Sequence, residues 1–342
     1  FLKMLGHWNM VKQASGSIMR NCYYSYFAKA CSLSRQELMS QILDSCQHLD
    51  GYYAVNKPYG LEKRSLTLPK NIKPNLLSPG PSLPRGYCFE DFLPMLEAKL
   101  NCQRLLTLHG SEKYVSGGMV LTDRPECVDS YNHLRKAARA KRKPLDTYVV
   151  VVLGKPQPDN GEKTVGIQFQ ALGCNSKQPV IIEKPSTSRI CRNVAKQAYL
   201  SYATLHHNAK MNASVVQIST DFRKNHFLRV YMAHLLSPIF GDHMYSGRIK
   251  VILGNWNKIS KTKLGSNTNL LSDYMCQKFS MKREQYLTVP THIHLLSTTV
   301  PTKDSRSQQF VFKFPEYFIN TLELMECHHL IEGLTAQELE RS

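Results

Sequence analysis

Between Ser214 and Tyr245 the chain changes its period. Val215, Gln217 and Ser219 alternate with Val216, Ile218 and Thr220, a mix of β-branched and polar positions that predicts a strand. From Phe227 the spacing becomes helical, through Val230, Tyr231, His234 and Leu235, until Ser237-Pro238 and Gly241-Asp242 break it. A strand therefore feeds a short helix, with Asp221 to Lys224 turning the chain between them. His226, Arg229 and Ala233 share a second helical face. Arg229 either snorkels from an apolar helix or holds a carboxylate elsewhere, since a planar fork fixes an acid's orientation as well as its charge.

Helical spacing also predicts helices over 36–49, closed by Asp50-Gly51, and over 89–100, 125–140 and 315–325. Short apolar or alternating runs predict strands at 52–55, 104–108, 119–121, 149–153, 165–172, 179–183, 198–206, 290–296 and 310–314. The 198–206 strand should pair antiparallel with 214–220 across a turn at Asn208 to Asn212. Residues 62–86 read as a surface loop, 155–163 as a turn and 254–285 as a polar insertion. Antiparallel pairs with helices at intervals predict an α/β fold with a mixed, mainly antiparallel sheet. One polar, glycine-bearing loop, His109 to Gly118, lies between apolar runs, where scaffolds commonly hold function.

Charge narrows the partner. Among 342 residues, 44 Lys and Arg against 26 Asp and Glu give a formal net charge of +18. Such an excess favours a polyanion. No apolar run approaches the roughly 20 residues of a membrane helix, so nucleic acid is preferred and no membrane insertion is expected. The end of the 125–140 helix gathers Arg135, Lys136, Arg139, Lys141, Arg142 and Lys143, either a solvated helix end or a phosphate contact. The first 36 residues carry five Lys and Arg and no acid, the composition of a mitochondrial presequence or of a basic nucleic-acid-binding arm; the presequence is the expectation. None of the 10 cysteines stands in a C-x-x-C pair, and His292 and His294 alternate with Ile293 as strand residues do. No metal site is expected, and the cysteines fit a reducing compartment such as the mitochondrial matrix.

The order of five motifs resembles the RluA-type RNA pseudouridine synthases, most of all their mitochondrial members. They are Asn56-Lys57-Pro58-Tyr59-Gly60-Leu61, the His109 to Gly117 loop, the Tyr148 strand, His226-Phe227-Leu228-Arg229 with Gly241-Asp242-His243-Met244-Tyr245, and the closing Thr291-His292-Ile293-His294 with Pro315-Glu316-Tyr317-Phe318. The resemblance implies a pseudouridine synthase domain over 48–326, followed by a polar tail at 327–342. It also implies an enzyme without a cofactor that detaches a uracil from its ribose, turns it and rejoins it through carbon. In that family the work falls to an aspartate in a His-Arg-Leu-Asp-x-x-Thr-Ser-Gly loop, a tyrosine against the base and an arginine pairing the aspartate. Here Glu112 occupies the aspartate position, Tyr148 the tyrosine and Arg229 the arginine, while Gly110 and Ser111 replace the arginine and leucine. Lys224, Phe227 and Tyr231 stand where an arginine, a glutamine and a histidine are usual.

The chemistry needs an ionised, enclosed carboxylate beside a cation, and an everted base held by an aromatic wall. Glu112, Arg229 and Tyr148 are the candidates. Lys57, His109, Arg135, Lys136, Arg139, Lys141, Arg142, Lys143, Lys224 and His226 are candidates to contact RNA. The sequence leaves two readings: a synthase acting on mitochondrial mRNA or rRNA through a glutamate, or a chemically silent RNA-binding protein that supports mitochondrial ribosome assembly, alongside assembly proteins, or mRNA stability.

Overall fold

The computed structural model describes residues 23–63, 87–171, 177–259, 267–303 and 307–340. In chain order its helices are α1 (Tyr23–Cys31), α2 (Arg35–Asp44), α3 (Leu93–Leu100), α4 (Pro125–Ala140), α5 (Thr187–Cys191), α6 (Phe227–His234), α7 (Asp273–Lys278), α8 (Glu316–Leu324) and α9 (His329–Glu340). The strands are β1 (Gln47–Leu49), β2 (Tyr52–Lys57), β3 (Leu106–His109), β4 (Ser116–Thr122), β5 (Asp146–Leu153), β6 (Asn160–Ala171), β7 (Lys177–Ile182), β8 (Ala195–Asn208), β9 (Ala213–Ser219), β10 (Ile249–Ile252), β11 (Asn255–Lys258), β12 (Ile293–Pro301) and β13 (Ser307–Val311). The sheet runs β1-β2-β4-β12-β5-β9-β8-β6-β7, with β13 on β12 and β3 on β4. Every pairing is antiparallel except that of β12 with β4. The expected mixed, mainly antiparallel α/β architecture is the one observed.

β5 is buried along its whole length, which is why its apolar run carries no polar alternation. Val149, Val151 and Leu153 face a core completed by Phe27 of α1 and by Tyr317, Phe318 and Leu322 of α8. Tyr148, Val150 and Val152 face the other core, closed by Phe227, Leu228, Tyr231 and Met232 of α6. The β8–β9 hairpin forms as expected, with Tyr202 opposite Ile218.

Several elements differ from expectation. The helix expected to reach residue 49 ends at Asp44, and Gln47–Leu49 returns as a strand on Tyr52–Ala54. Asp50 and Gly51 both have positive φ, 49° and 86°, so this pair makes a tight hairpin turn of the kind Asp-Gly favours rather than a helix stop. β6 begins at Asn160, inside the stretch read as a turn. Within the segment read as a polar insertion, Leu270, Leu271, Met275, Phe279 and Met281 enter the core. The polar tail contains α9, which buries Leu334 and Glu338. The basic N-terminal stretch is helical from Tyr23 and buries Phe27. Residues 1–22, most of the 62–86 loop and 260–266 lie outside the described residues.

Candidate active site

The site forms where β9 ends and α6 begins, facing the loop between β3 and β4. The β3–β4 loop is closed by Val115 N–H donating to the Glu112 carbonyl at 3.0 Å, and held to the Asn56–Leu61 segment by Gly60 N–H on the Lys113 carbonyl at 2.9 Å. Asn225 and His226 both take left-handed backbone, φ 63° and 53°, and this aims the His226 N–H at Glu112 Oε1, 2.9 Å away. His226 thus caps the helix from outside instead of sharing a face with Arg229. Desolvation pushes the Glu112 carboxyl up to about 7, against the pull of the His226 N–H and the charges of Arg229 and Lys57.

Arg229 does not pair with Glu112. Its Nη2 donates to Asp242 Oδ1 at 2.6 Å, and its guanidinium lies between the rings of Tyr114 and Tyr245, 5.1 and 5.2 Å from their centroids. Asp242 Oδ1 also accepts from the backbone N–H groups of Met244 and Tyr245. The Gly241-Asp242 turn, read as a helix breaker, therefore supplies the carboxylate that the arginine was expected to find on Glu112. Its Nε and Nη1 find no hydrogen-bond partner among the described residues.

Glu112, Tyr148 and Arg229 nonetheless line one cavity, with Ser111, Val115, Phe222, Arg223 and others. Its volume, ≈ 20 Å³, is room for about one water, so a pyrimidine enters only when a wall moves. Burial and the nearby Asp146 charge keep the Tyr148 hydroxyl well above its ordinary pKa and neutral. Arg223, hidden in a stretch read as a charged turn, reaches into this wall. It contacts His109 Nδ1 and lies 3.6 Å from Asp146.

Behind the wall lies a buried charge network. Arg135 grips Asp146 with two hydrogen bonds, 3.0 and 2.6 Å, and reaches Asp221 at 2.8 Å. Burial works to raise the Asp146 carboxyl, but the guanidinium charges of Arg135 and Arg223 outweigh that and hold it well below the usual range. Burial and the Arg223 charge keep His109 neutral.

Four expected RNA contacts are corrected because they turn inward, three of them fully buried and one partly. Arg135 shares the buried face of α4 with Tyr131, His109 ends β3 buried against it, and the Tyr131 hydroxyl contacts both. Lys57 is buried too, its ammonium donating to the Pro58 and Leu61 carbonyls at 3.2 and 3.1 Å, and burial pushes it down to about 7. His226 is partly buried against the Tyr245 hydroxyl, and burial lowers it to about 4. Lys136, Arg139, Lys141, Arg142, Lys143 and Lys224 are exposed. His292 and His294 spend both ring nitrogens on hydrogen bonds. No cluster of three metal-ligating side chains occurs among the described residues. Nor does any described helix have the length and apolarity to cross a membrane.

This architecture is the pseudouridine synthase fold. The solved structure of human RNA pseudouridylate synthase domain containing 4 superposes with a TM-score of 0.55 at 20% identity, covering 89% of this chain and 98% of that one. In sequence the chain is 26% identical over 304 residues to the mitochondrial mRNA pseudouridine synthase RPUSD3 of Homo sapiens, spanning 86% of this chain and 79% of the relative. It is 25% identical over 308 residues to the Bos taurus protein of the same name, spanning 87% and 82%. No protein-family model matches the chain. The resemblance carried by the motifs, including its mitochondrial direction, is borne out by these relatives.

Proposed function

We propose that the protein is an RNA pseudouridine synthase of the mitochondrial matrix acting on mitochondrial mRNA or rRNA, with Glu112 as its carboxylate, Tyr148 as the wall for the base and Arg229 as the local cation. The observation that carries this reading is the convergence of these three residues, remote in sequence, on one cavity in a synthase fold. The names of the curated relatives support an mRNA substrate and a mitochondrial location. In the reaction the N1–C1′ bond of uridine breaks, a C5–C1′ bond forms and the C5 proton ends on N1. Nothing is added or lost, so no cofactor is required. Ionised Glu112 would act on the sugar as nucleophile or as base, and the exposed cations of α4 and its end, with Lys224, would hold phosphates. We assign the catalytic domain to 48–326. The basic N-terminal stretch is assigned a targeting role; α1 lies within it but packs Phe27 into the core, so that helix belongs to the folded protein.

A second reading is favoured by two specific observations: Arg229 is engaged by Asp242, and the cavity is smaller than a base. Under it the protein binds RNA without chemistry and supports ribosome assembly or mRNA stability. Mapping pseudouridine in mitochondrial transcripts incubated with purified protein decides between them. Product with wild type and none with Glu112→Ala supports the synthase; no product with wild type, yet product with Glu112→Asp, leaves only the binding role.

A further inference from the structure

Phe222 belongs to two linings at once. It borders the Glu112 cavity and a second hollow of ≈ 370 Å³, with Asp221 on the side of the larger and Arg223 on the side of the smaller. The larger hollow is of ligand size. Arg139, Arg142 and Lys143, all exposed, stand around it, and Tyr199 of β8 lines it opposite the end of α4. The one carboxylate in its lining, Asp221, already accepts from Arg135 at 2.8 Å and from the Leu145 N–H at 3.1 Å. Glu162 beside the hollow bonds the Tyr199 hydroxyl, so three cations face one free carboxylate and the hollow keeps an excess of positive charge. Arg142 holds a left-handed backbone, φ 53°, just past the helix end, where glycine is the residue of least cost. Lys143 N–H then closes on the Ala138 carbonyl at 2.9 Å, which turns both cations back over the hollow's rim.

We propose that this hollow binds one unpaired ribonucleotide of the RNA strand adjacent to the target uridine, its phosphate on Arg139, Arg142 and Lys143 and its base against Tyr199 and Phe222. The inference rests on the RNA reading above and specifies what surrounds the target. Stacking on an aromatic ring tolerates any base, so the hollow selects single-stranded context rather than sequence. A base-paired neighbour cannot present its face to the two rings.

The test uses the full chain and an unstructured oligoribonucleotide of about twelve residues carrying 4-thiouridine, read by fluorescence anisotropy and by photo-crosslinking with peptide mapping. Crosslinks are expected within 197–199 or at Phe222. Tyr199→Ala should weaken binding about tenfold with little change in salt dependence, Tyr199→Phe should bind as wild type, and Arg142→Glu should lower the salt slope by about one. Phe222→Ala should weaken binding as Tyr199→Ala does; because Phe222 also touches Phe227, Phe222→Leu is measured beside it, and thermal melting confirms that each variant is folded. Crosslinks confined to other segments, or Tyr199→Ala binding within twofold of wild type, overturn the assignment while leaving RNA binding and pseudouridine formation untouched. Absence of any RNA binding by wild type overturns both this inference and the function it rests on.

Discussion

Desolvation holds the Glu112 carboxyl near 7, above its usual 4.5, so between those values the folded protein binds a proton that the unfolded chain releases. Stability contributed at this position therefore falls as pH rises from about 4.5 to about 7, and stays lost above it. Lys57 runs the other way: lowered from 10.5 to about 7 by burial, it adds stability as pH climbs across that higher window. Glu112→Gln keeps an acceptor for the His226 N–H and removes the charge. At pH 8 it should be more stable than wild type, by on the order of 3 kcal/mol, and at pH 4.5 nearly equal, as read by urea unfolding. Equal stability at both pH values would mean that the carboxylate is hydrated. If the ionised form does the chemistry, the wild-type rate should rise with pH through about 7, and Glu112→Gln should be inactive at every pH. At this scale the resemblance to the family's ordered motifs pointed to Glu112, Tyr148 and Arg229, which line one cavity. Asp242 as the arginine's partner was not legible, since the choice between two acids depends on which one the fold brings within 2.6 Å.

Glu112 sits on a loop, Tyr148 on β5 and Arg229 on α6, and the strand that follows the Glu112 loop depends on a close backbone approach. Gly117 sits opposite Leu295 in the one parallel pairing of the sheet, with φ +106°, and a Cβ there would run into the Leu295 backbone. Gly254, at the β10–β11 turn, has a similar positive φ of +79° but open space around it. Gly117→Ala should therefore cost at least about 3 kcal/mol and impair the Glu112 loop, whereas Gly254→Ala should cost only about 1 kcal/mol of backbone strain. Denaturant unfolding of the two variants compares them directly; equal costs would mean that the parallel pairing yields to the added methyl. α4 could be read from periodicity because its buried residues, Cys127, Tyr131, Arg135 and Ala138, mark one face. By contrast α6 is buried from Phe227 to Ala233 and β9 on both faces, so there the apolar run and the turn residues at its ends carried the reading. Asp50-Gly51 misled because the same two residues end a helix or turn a hairpin, and only the pairing of Gln47–Leu49 with Tyr52–Ala54 decides. The 254–285 segment misled because its core residues are sparse and separated by short helical turns, so no period accumulates.

For the molecule as a whole, the +18 charge is a statement about partners, but it does not say which cations meet them. The α4 end holds both kinds. Arg135 lies on the face of Tyr131 and Ala138 and neutralises Asp146 and Asp221 inside the protein, while Lys136 and Arg139 point outward. The repeat of buried residues along α4 carries that distinction, which a count of charges loses. Two variants separate the roles. Changing Arg139, Lys141, Arg142 and Lys143 together to glutamate should leave unfolding almost unchanged, weaken RNA binding strongly and reduce the slope of log affinity against log salt by roughly 3 for a single strand. Arg135→Ala should instead cost about 3–5 kcal/mol of stability, because it strands two carboxylates away from water. Its salt slope, measured on the fraction that remains folded, should match wild type, since no phosphate reaches that guanidinium. A quadruple variant whose slope equals that of wild type would remove the α4 end from the RNA path and move the contact to Lys224 and the cations beyond it.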